Sequence, residues 1–260
     1  MTYKILFLGD VVGKPGRTAV RGGLPSLLEA HRPLFTIVNG ENSAGGVGIT
    51  PEIADEFYAL GADAITLGNH AFNKREISGY LETEKPIVRP ANMPSGTPGK
   101  GLAIIEKEGI QLAVMNVCGR VFMESYNDPF ACVDDLLNSL ATPHRFLDFH
   151  AEATSEKIAM GWHCNGRATA VLGTHTHVPT ADESVLPGGT AYITDVGMSG
   201  PVRSVLGMDR EVILKRFRTT LPQRFEVANE PGVICGALVS VERDTGRAVA
   251  IERIRFGEDA

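Results

Sequence analysis

The chain lacks the features that would announce several common kinds of protein. Its four cysteines, Cys118, Cys132, Cys164 and Cys235, form no C-x-x-C pair, which argues against a zinc knuckle and a dithiol redox motif. They read as reduced, mostly buried thiols. No apolar run approaches the roughly 20 residues of a membrane span. The apolar run after Met1-Thr2-Tyr3-Lys4 is only about five residues, too short for a signal-peptide core, so the cytoplasm is the expected compartment. Positive charge is also scarce: 25 Lys and Arg against 31 Asp and Glu leave a net charge of −6. No extended nucleic-acid groove is expected from such a balance. Neither G-x-G-x-x-G nor G-K-[ST] occurs, and the Gly/Pro turn from Val11 to Gly16 fits neither pattern, which leaves a Rossmann or P-loop site without support. G-x-S-x-G is missing and no cysteine has a nucleophile's setting.

What remains is an ordinary globular composition, 43% hydrophobic and 22% charged over 260 residues. A chain of this length can bury a core that needs no disulfide or structural metal. A single domain over 1–260 is expected, with the Pro/Gly-rich stretch 90–100 read as a loop. Five short apolar runs stand out: 5–8, 35–38, 64–67, 146–149 and 170–173. Their length and apolarity predict buried strands. Amphipathic stretches predict helices near 17–30, 74–84 and 133–140. Thr50-Pro51-Glu52 reads as an N-cap with proline at the first helical position, opening a helix to about Leu60. Two hairpins are predicted, 101–117 turning at Glu108-Gly109 and 232–256 turning at Asp244-Thr245-Gly246. Parallel units in front, with hairpins in the middle and at the end, predict two mixed sheets packed face to face with helices outside.

Each of the five runs ends in side chains that bind hard metal ions: Asp10; Glu41 and Asn42; Asn69 and His70; His150; His175 and His177. Ligands collect beyond the carboxyl ends of strands in open α/β sheets, so one edge can gather enough oxygen and imidazole for two divalent ions. Taken singly, most of these residues have plainer readings. A lone acid caps a loop, and Asn39-Gly40-Glu41-Asn42-Ser43 makes a polar turn. The sharper reading makes Glu41 a bridge between two ions and Asn42 a neutral oxygen ligand. In Gly68-Asn69-His70, Asn69 offers a carbonyl oxygen and His70 is free to face substrate. His175-Thr176-His177 is the strongest local pattern, because alternate residues of an extended segment face the same way. His31 and His144 stand next to prolines and read as surface residues, and His163 as a packing or capping residue. Arg89, Arg120 and Arg203 follow or sit among Gly/Pro-rich turns; contact with substrate phosphate is one reading, and surface solvation or an ion pair is the plainer one.

Two divalent ions bring four positive charges. Asp10, Glu41 and a shared hydroxide remove three, and the remainder, about plus one, suits a phosphodiester monoanion. Donors without thiolate favour iron or manganese. His70 is the natural proton donor to the leaving oxygen.

Gly68-Asn69-His70 and Gly173-Thr174-His175-Thr176-His177 resemble the metallophosphoesterase superfamily, which has a four-layer α/β/β/α sandwich and a two-metal site. Two departures, Val12 in place of a histidine and Asn39-Gly40-Glu41-Asn42 in place of an acidic segment, resemble one bacterial subfamily, the YmdB-like phosphodiesterases. Asn39 to Gly46, Asp148 to Lys157 and Gly173 to Asp182 carry its motifs. The resemblance implies a hydrolase that opens 2′,3′-cyclic nucleotides to 3′-nucleotides at a di-iron centre. It implies Asp10, Glu41, Asn42 and His177 around one ion, Glu41, Asn69, His150 and His175 around the other, and His70 as proton donor. A homo-oligomer is expected because relatives often assemble. The alternatives are a phosphomonoesterase or RNA-end nuclease with the same centre, and a low-turnover regulatory protein that binds nucleotide.

Overall fold

Parallel strands need long crossovers, and a crossover helix must bury its apolar stripe on a sheet face. The structure, a computed structural model describing residues 1–257, obeys this rule in both of its sheets. The first half contains β1 (Thr2–Leu8), α1 (Gly13–His31), β2 (Phe35–Asn39), α2 (Pro51–Ala59), β3 (Ala64–Thr66), α3 (Ile77–Leu81) and β4 (Ile87–Val88). The middle holds β5 (Leu102–Lys107), β6 (Ile110–Cys118), α4 (Pro129–Ser139), β7 (Arg145–His150), α5 (Thr154–His163) and β8 (Ala170–Thr174). The chain continues through β9 (Ser184–Val185), β10 (Ala191–Ile193), β11 (Gly200–Pro201), α6 (Arg210–Thr219), β12 (Gly232–Glu242) and β13 (Ala248–Phe256).

The first sheet runs β11-β12-β1-β2-β3-β4, with β13 also paired to β12; the second runs β5-β6-β7-β8-β10-β9. Strands β1 to β4 are parallel. So are β6, β7, β8 and β10. The predicted hairpins supply antiparallel strands: β12 lies against β1 with Leu8 opposite Gly236, and β5 against β6. Lys107 pairs with Ile110, and both residues of the intervening turn, Glu108 (φ 48°) and Gly109 (φ 74°), have positive φ, as a two-residue turn matched to strand twist requires.

Three apolar clusters define four layers. Ile5, Phe7, Phe35, Ile37, Val114, Phe146 and Leu172 pack between the two sheets. Val20, Leu24, Leu27, Ala54, Phe57 and Ile77 bring α1 to α3 onto the outer face of the first sheet. Val133, Leu137, Met160 and Cys164 bring α4 and α5 onto the second. The expected α/β/β/α sandwich is therefore present. No helix among the described residues is long and apolar enough to cross a membrane.

Several local expectations need correction. Helix α1 starts at Gly13, inside the stretch read as a Gly/Pro turn. Pro15 does not prevent this, because the first-turn amides of a helix have no internal partner to lose. Only 77–81 of the predicted 74–84 helix forms. Helix α4 begins four residues early, where Asp128 caps Phe130 and Ala131 and Pro129 takes the first turn. His144 is not a surface residue: it is 6% exposed, and its Nδ1 lies 2.9 Å from the Tyr3 hydroxyl. Arg89 is not solvated either. It is buried and donates to the carbonyls of Pro90, Thr97, Pro98 and Gly99 at 2.8–3.2 Å, which staples the 90–100 loop from within.

The sheet–sheet contact is dense in aromatics, and Phe7 of β1 meets Phe146 of β7 edge-on at 5.1 Å. Both are fully buried. Phe7→Ala is expected to cost about 3–5 kcal/mol of stability from lost transfer energy plus a cavity. Chemical denaturation checks this, and a loss under about 1 kcal/mol would mean that the two sheets do not pack on this ring.

Candidate metal centre

In the second sheet, Cys118, His150 and Thr174 stand in register across β6, β7 and β8. In the first, Leu8 pairs with Val38 and Asn39 with Thr66. The loops that follow these strands therefore leave the sandwich at one edge, and the candidate residues sit in those loops or at those strand ends. Asp10 follows β1, Glu41 and Asn42 follow β2, and Asn69 and His70 follow β3. His150 ends β7, and His175 and His177 follow β8.

Four of them meet directly. His150 Nε2 lies 2.9 Å from Glu41 Oε1, 3.0 Å from Asn69 Oδ1 and 3.0 Å from His175 Nδ1. The proton positions follow from the partners. Thr174 has one hydroxyl hydrogen and gives it to Asp148 Oδ1 at 2.7 Å. Its oxygen then accepts from His150 Nδ1–H at 2.8 Å, which in the neutral ring leaves Nε2 as a bare lone pair. That lone pair faces a carboxylate oxygen, an amide oxygen and a second imidazole nitrogen. A proton on Nε2 would satisfy Glu41 in part, and a metal ion among these atoms would satisfy all of them. Donor atoms about 3 Å apart are also what adjacent ligands at about 2.1 Å from one ion would show. The ligand atoms of Glu41, His150 and His175 all lie within 4.8 Å of one another.

Two buried oxygens in the loops after β1 and β2 have no hydrogen-bond partner, Asp10 Oδ1 and Asn42 Oδ1. Asp10 Oδ2 accepts the His175 amide at 3.1 Å, while Oδ1 stands 3.9 Å from both His150 Nδ1 and His177 Nε2. Asn42 spends its Nδ2 on the Gly46 carbonyl at 3.0 Å, which orients the amide and leaves its Oδ1 unpaired. Orphaned buried acceptors are rare and costly, and a cation would satisfy both. His70 joins the group through its backbone, whose amide donates to Glu41 Oε2 at 3.1 Å; its ring is half-buried.

The electrostatics are those of a site built for positive charge. Burial opposes a charge on His150, yet the carboxylates of Glu41, Asp10 and Asp148 around it overcome that and push its pKa up to about 9. Burial, then the neighbouring His150, push His175 down to about 3. Burial works to raise Glu41, but His150 and His70 hold it down to about 2. Asp10 is pushed up by burial against the pull of His177 and His150.

The 175–177 segment corrects one expectation. It is not extended: His175 (φ 97°) and His177 (φ 66°) both have positive φ. Their rings reach the site through a sharp turn, and strand alternation plays no part. Such backbone needs outside support, which Asp195 supplies. This buried carboxylate accepts the Thr176 amide (3.1 Å), the Thr176 hydroxyl (2.8 Å) and the Gly197 amide (2.8 Å). Lys157, 1% exposed, reaches from α5 to Asp195 Oδ2 at 2.7 Å and to the Thr174 carbonyl at 2.6 Å.

Sequence reasoning missed these supports. Asp148 is fully buried and accepts from Thr66 (2.5 Å), Asn39 (2.9 Å) and Thr174 (2.7 Å); burial lifts its pKa to about 7. Its position two residues before His150, on the same strand face, was the available clue. For Lys157 the clue was a lysine on the apolar stripe of α5, beside Met160. Glu152, 3.2 Å from His175 Nε2, was also overlooked.

Two mixed sheets with nitrogen and oxygen donors gathered at their common edge define a metallophosphoesterase-type fold. The chain belongs to the YmdB-like protein family, whose model matches residues 6–254. It is 52% identical over 258 residues, 98% of both chains, to the 2′,3′-cyclic-nucleotide 2′-phosphodiesterase of Bacillus subtilis (strain 168). Its fold matches the crystal structure of a novel phosphatase from Mycoplasma pneumoniae with a TM-score of 0.94 at 32% identity, covering 98% of this chain and 94% of that one. A hypothetical protein from Thermus thermophilus matches at 0.91 and 43% identity, covering 97% and 98%. The NAD nucleotidase of Haemophilus influenzae, 15% identical with a TM-score of 0.60 over 98% of this chain and 56% of that one, shares the fold.

Gly68 is the tightest steric constraint at the centre. A Cβ there would stand 2.2 Å from Glu41 Oε2 and 2.5 Å from His150 Nε2. Gly68→Ala must therefore displace buried, hydrogen-bonded groups. It is expected to lower divalent-metal content and to cut activity by at least about tenfold, since small misplacements at a reacting centre cost that much or more. Elemental analysis and turnover check this, and full metal content in a folded variant would refute the close packing seen here.

Proposed function

We propose that this protein hydrolyses 2′,3′-cyclic nucleotides to 3′-nucleotides with two divalent metal ions. One observation carries the reading: Glu41, Asn69 and His175 each place a nitrogen or oxygen donor about 3 Å from His150 Nε2, and Asp10 Oδ1 and Asn42 Oδ1 are buried without partners, a donor set that fits metal ions. The similarity to a protein named for this reaction supports the substrate class.

In this reading Glu41, Asn69, His150 and His175 hold one ion, and Asp10, Glu41, Asn42 and His177 hold the other. Iron or manganese suits a donor set without thiolate. When bound, such ions supply Lewis-acid charge and a water poised to lose a proton near neutral pH. The chain's own residues do the rest. The Thr174–Asp148 pair keeps the His150 lone pair directed at the site by holding its Nδ1 proton. Asp195 and Lys157 keep both histidines of the 175–177 turn in place. Water adds to phosphorus, the bond to the 2′ oxygen breaks, and that oxygen takes a proton. His70 is assigned as the donor: its backbone is tied to Glu41, which keeps the ring beside the site without making it a ligand.

His70→Ala is expected to slow hydrolysis of 2′,3′-cyclic nucleotides by about 10²–10⁴-fold; unchanged turnover would remove His70 from the mechanism. Glu41→Gln is expected to lose metal and activity together, and chelation should abolish activity until metal is restored. A panel of cyclic nucleotides, phosphomonoesters and short RNAs decides the substrate class. Faster turnover of monoesters would overturn the diester reading, and tight binding of cyclic nucleotide without turnover would favour a regulatory protein.

A further inference from the structure

The segment 119–127, between β6 and α4, is built as a site wall. It starts beside the metal centre: Cys118 pairs with His150, and the Gly119 amide donates to the His150 carbonyl at 3.0 Å. Asn92 pins both ends. Its side chain accepts the Cys118 amide at 3.0 Å and donates to the carbonyls of Cys118 (2.7 Å) and Asn127 (3.0 Å). The Asn92 carbonyl accepts the Asn127 amide at 2.9 Å. Glu156, 7% exposed on α5, accepts the amides of Arg120 and Val121 at 3.0–3.2 Å. Gly119 allows this clamp, since a Cβ there would meet Glu156 Oε2 at 2.4 Å. Further along, Met123 packs on the apolar cluster of the second sheet, and Tyr126 packs on the cluster of the first that also takes Phe72. The segment thus spans from the His150 side of the site toward the loop that carries Asn69 and His70.

Its tip contradicts ordinary turn chemistry. The Met123 amide donates to the Arg120 carbonyl at 3.3 Å, closing a four-residue turn. Phe122 holds the third position at φ 63°, where glycine or asparagine is favoured. Its ring is 88% exposed. A bulky aromatic in left-handed backbone, on a pinned turn and returning no packing, is expected only where the ring has an external partner. Chain length keeps it within about 11 Å of Gly119, whose amide bonds the His150 carbonyl.

We propose that Phe122 is a stacking platform for the nucleobase of the substrate, held out by the Asn92 and Glu156 clamps. This rests on the proposed nucleotide reading. Stacking uses the face of the base, which every base has, so the platform favours nucleotides over base-free cyclic phosphates with little preference among bases.

The test compares 2′,3′-cyclic AMP with methyl riboside 2′,3′-cyclic phosphate on the metal-loaded protein. Phe122→Gly suits the turn's backbone and should fold. It is expected to raise KM for the nucleotide by about 10–100-fold, with a much smaller change in kcat, bringing the two substrates' KM values together. Phe122→Trp should restore the difference. Binding of 3′-AMP against ribose 3-phosphate, measured by calorimetry, reads the same preference without turnover. Hydrolysis of 2′,3′-cyclic AMP with a KM ratio that Phe122→Gly leaves intact would overturn the platform and spare the proposed function. Nucleotide binding that depends on Phe122, without hydrolysis, would support the platform and overturn the function.

Discussion

The structure depends on a crowding of acceptors: Glu41, Asn69 and His175 each bring a donor atom to about 3 Å from His150 Nε2, where a single proton can serve only part of the set. Like-polarity groups in a buried site cost several kcal/mol unless a cation compensates them. The surrounding scaffold holds them in place against that cost. Asp148 and Thr174 fix the His150 ring, Asp195 and Lys157 fix the turn carrying His175, and the Gly68 backbone leaves room where any side chain would intrude.

The two sheets divide the labour. The first contributes oxygen, from Asp10, Glu41, Asn42 and Asn69; the second contributes imidazole, from His150, His175 and His177. Neither sheet alone could assemble the nest. The Phe7–Phe146 contact between the sheets is therefore also what brings the two kinds of donor into register. Packing and the candidate site are coupled here through rigid strand ends, with loops only a few residues long between each strand and its candidate ligand.

An acidic chain that acts on an anion has a particular difficulty, since its overall field is repulsive. In the proposed reading, charge concentrated in bound ions would solve it locally. Buried carboxylates would then be an asset, because they would hold the ions while the neutral Asn and His donors would leave excess positive charge facing the substrate. The absence of a basic stripe fits a small ligand held at one point better than a long polymer tracked along a groove.

The amino-acid sequence by itself determined the strand runs, because a short, wholly apolar run bounded by turn residues leaves little alternative to a buried strand. It also determined where the candidate ligands fall along the chain, because each ends or closely follows such a run. The hairpins at Glu108-Gly109 and Asp244-Thr245-Gly246 were legible for the same local reason: turn chemistry is a matter of neighbouring residues. Helix limits were less so. At Gly13 and Asp128, capping and first-turn geometry outweighed the composition of the stretch. Only the tertiary structure decided what lies under the site. The side chains of Asp148, Lys157 and Glu156 act through partners 17 to 109 residues away in the chain, and a buried polar residue is recognised by those partners alone. The left-handed backbone of His175 and His177 was equally invisible, since the strain is tolerated only because Asp195, folded in from beyond β10, holds the turn.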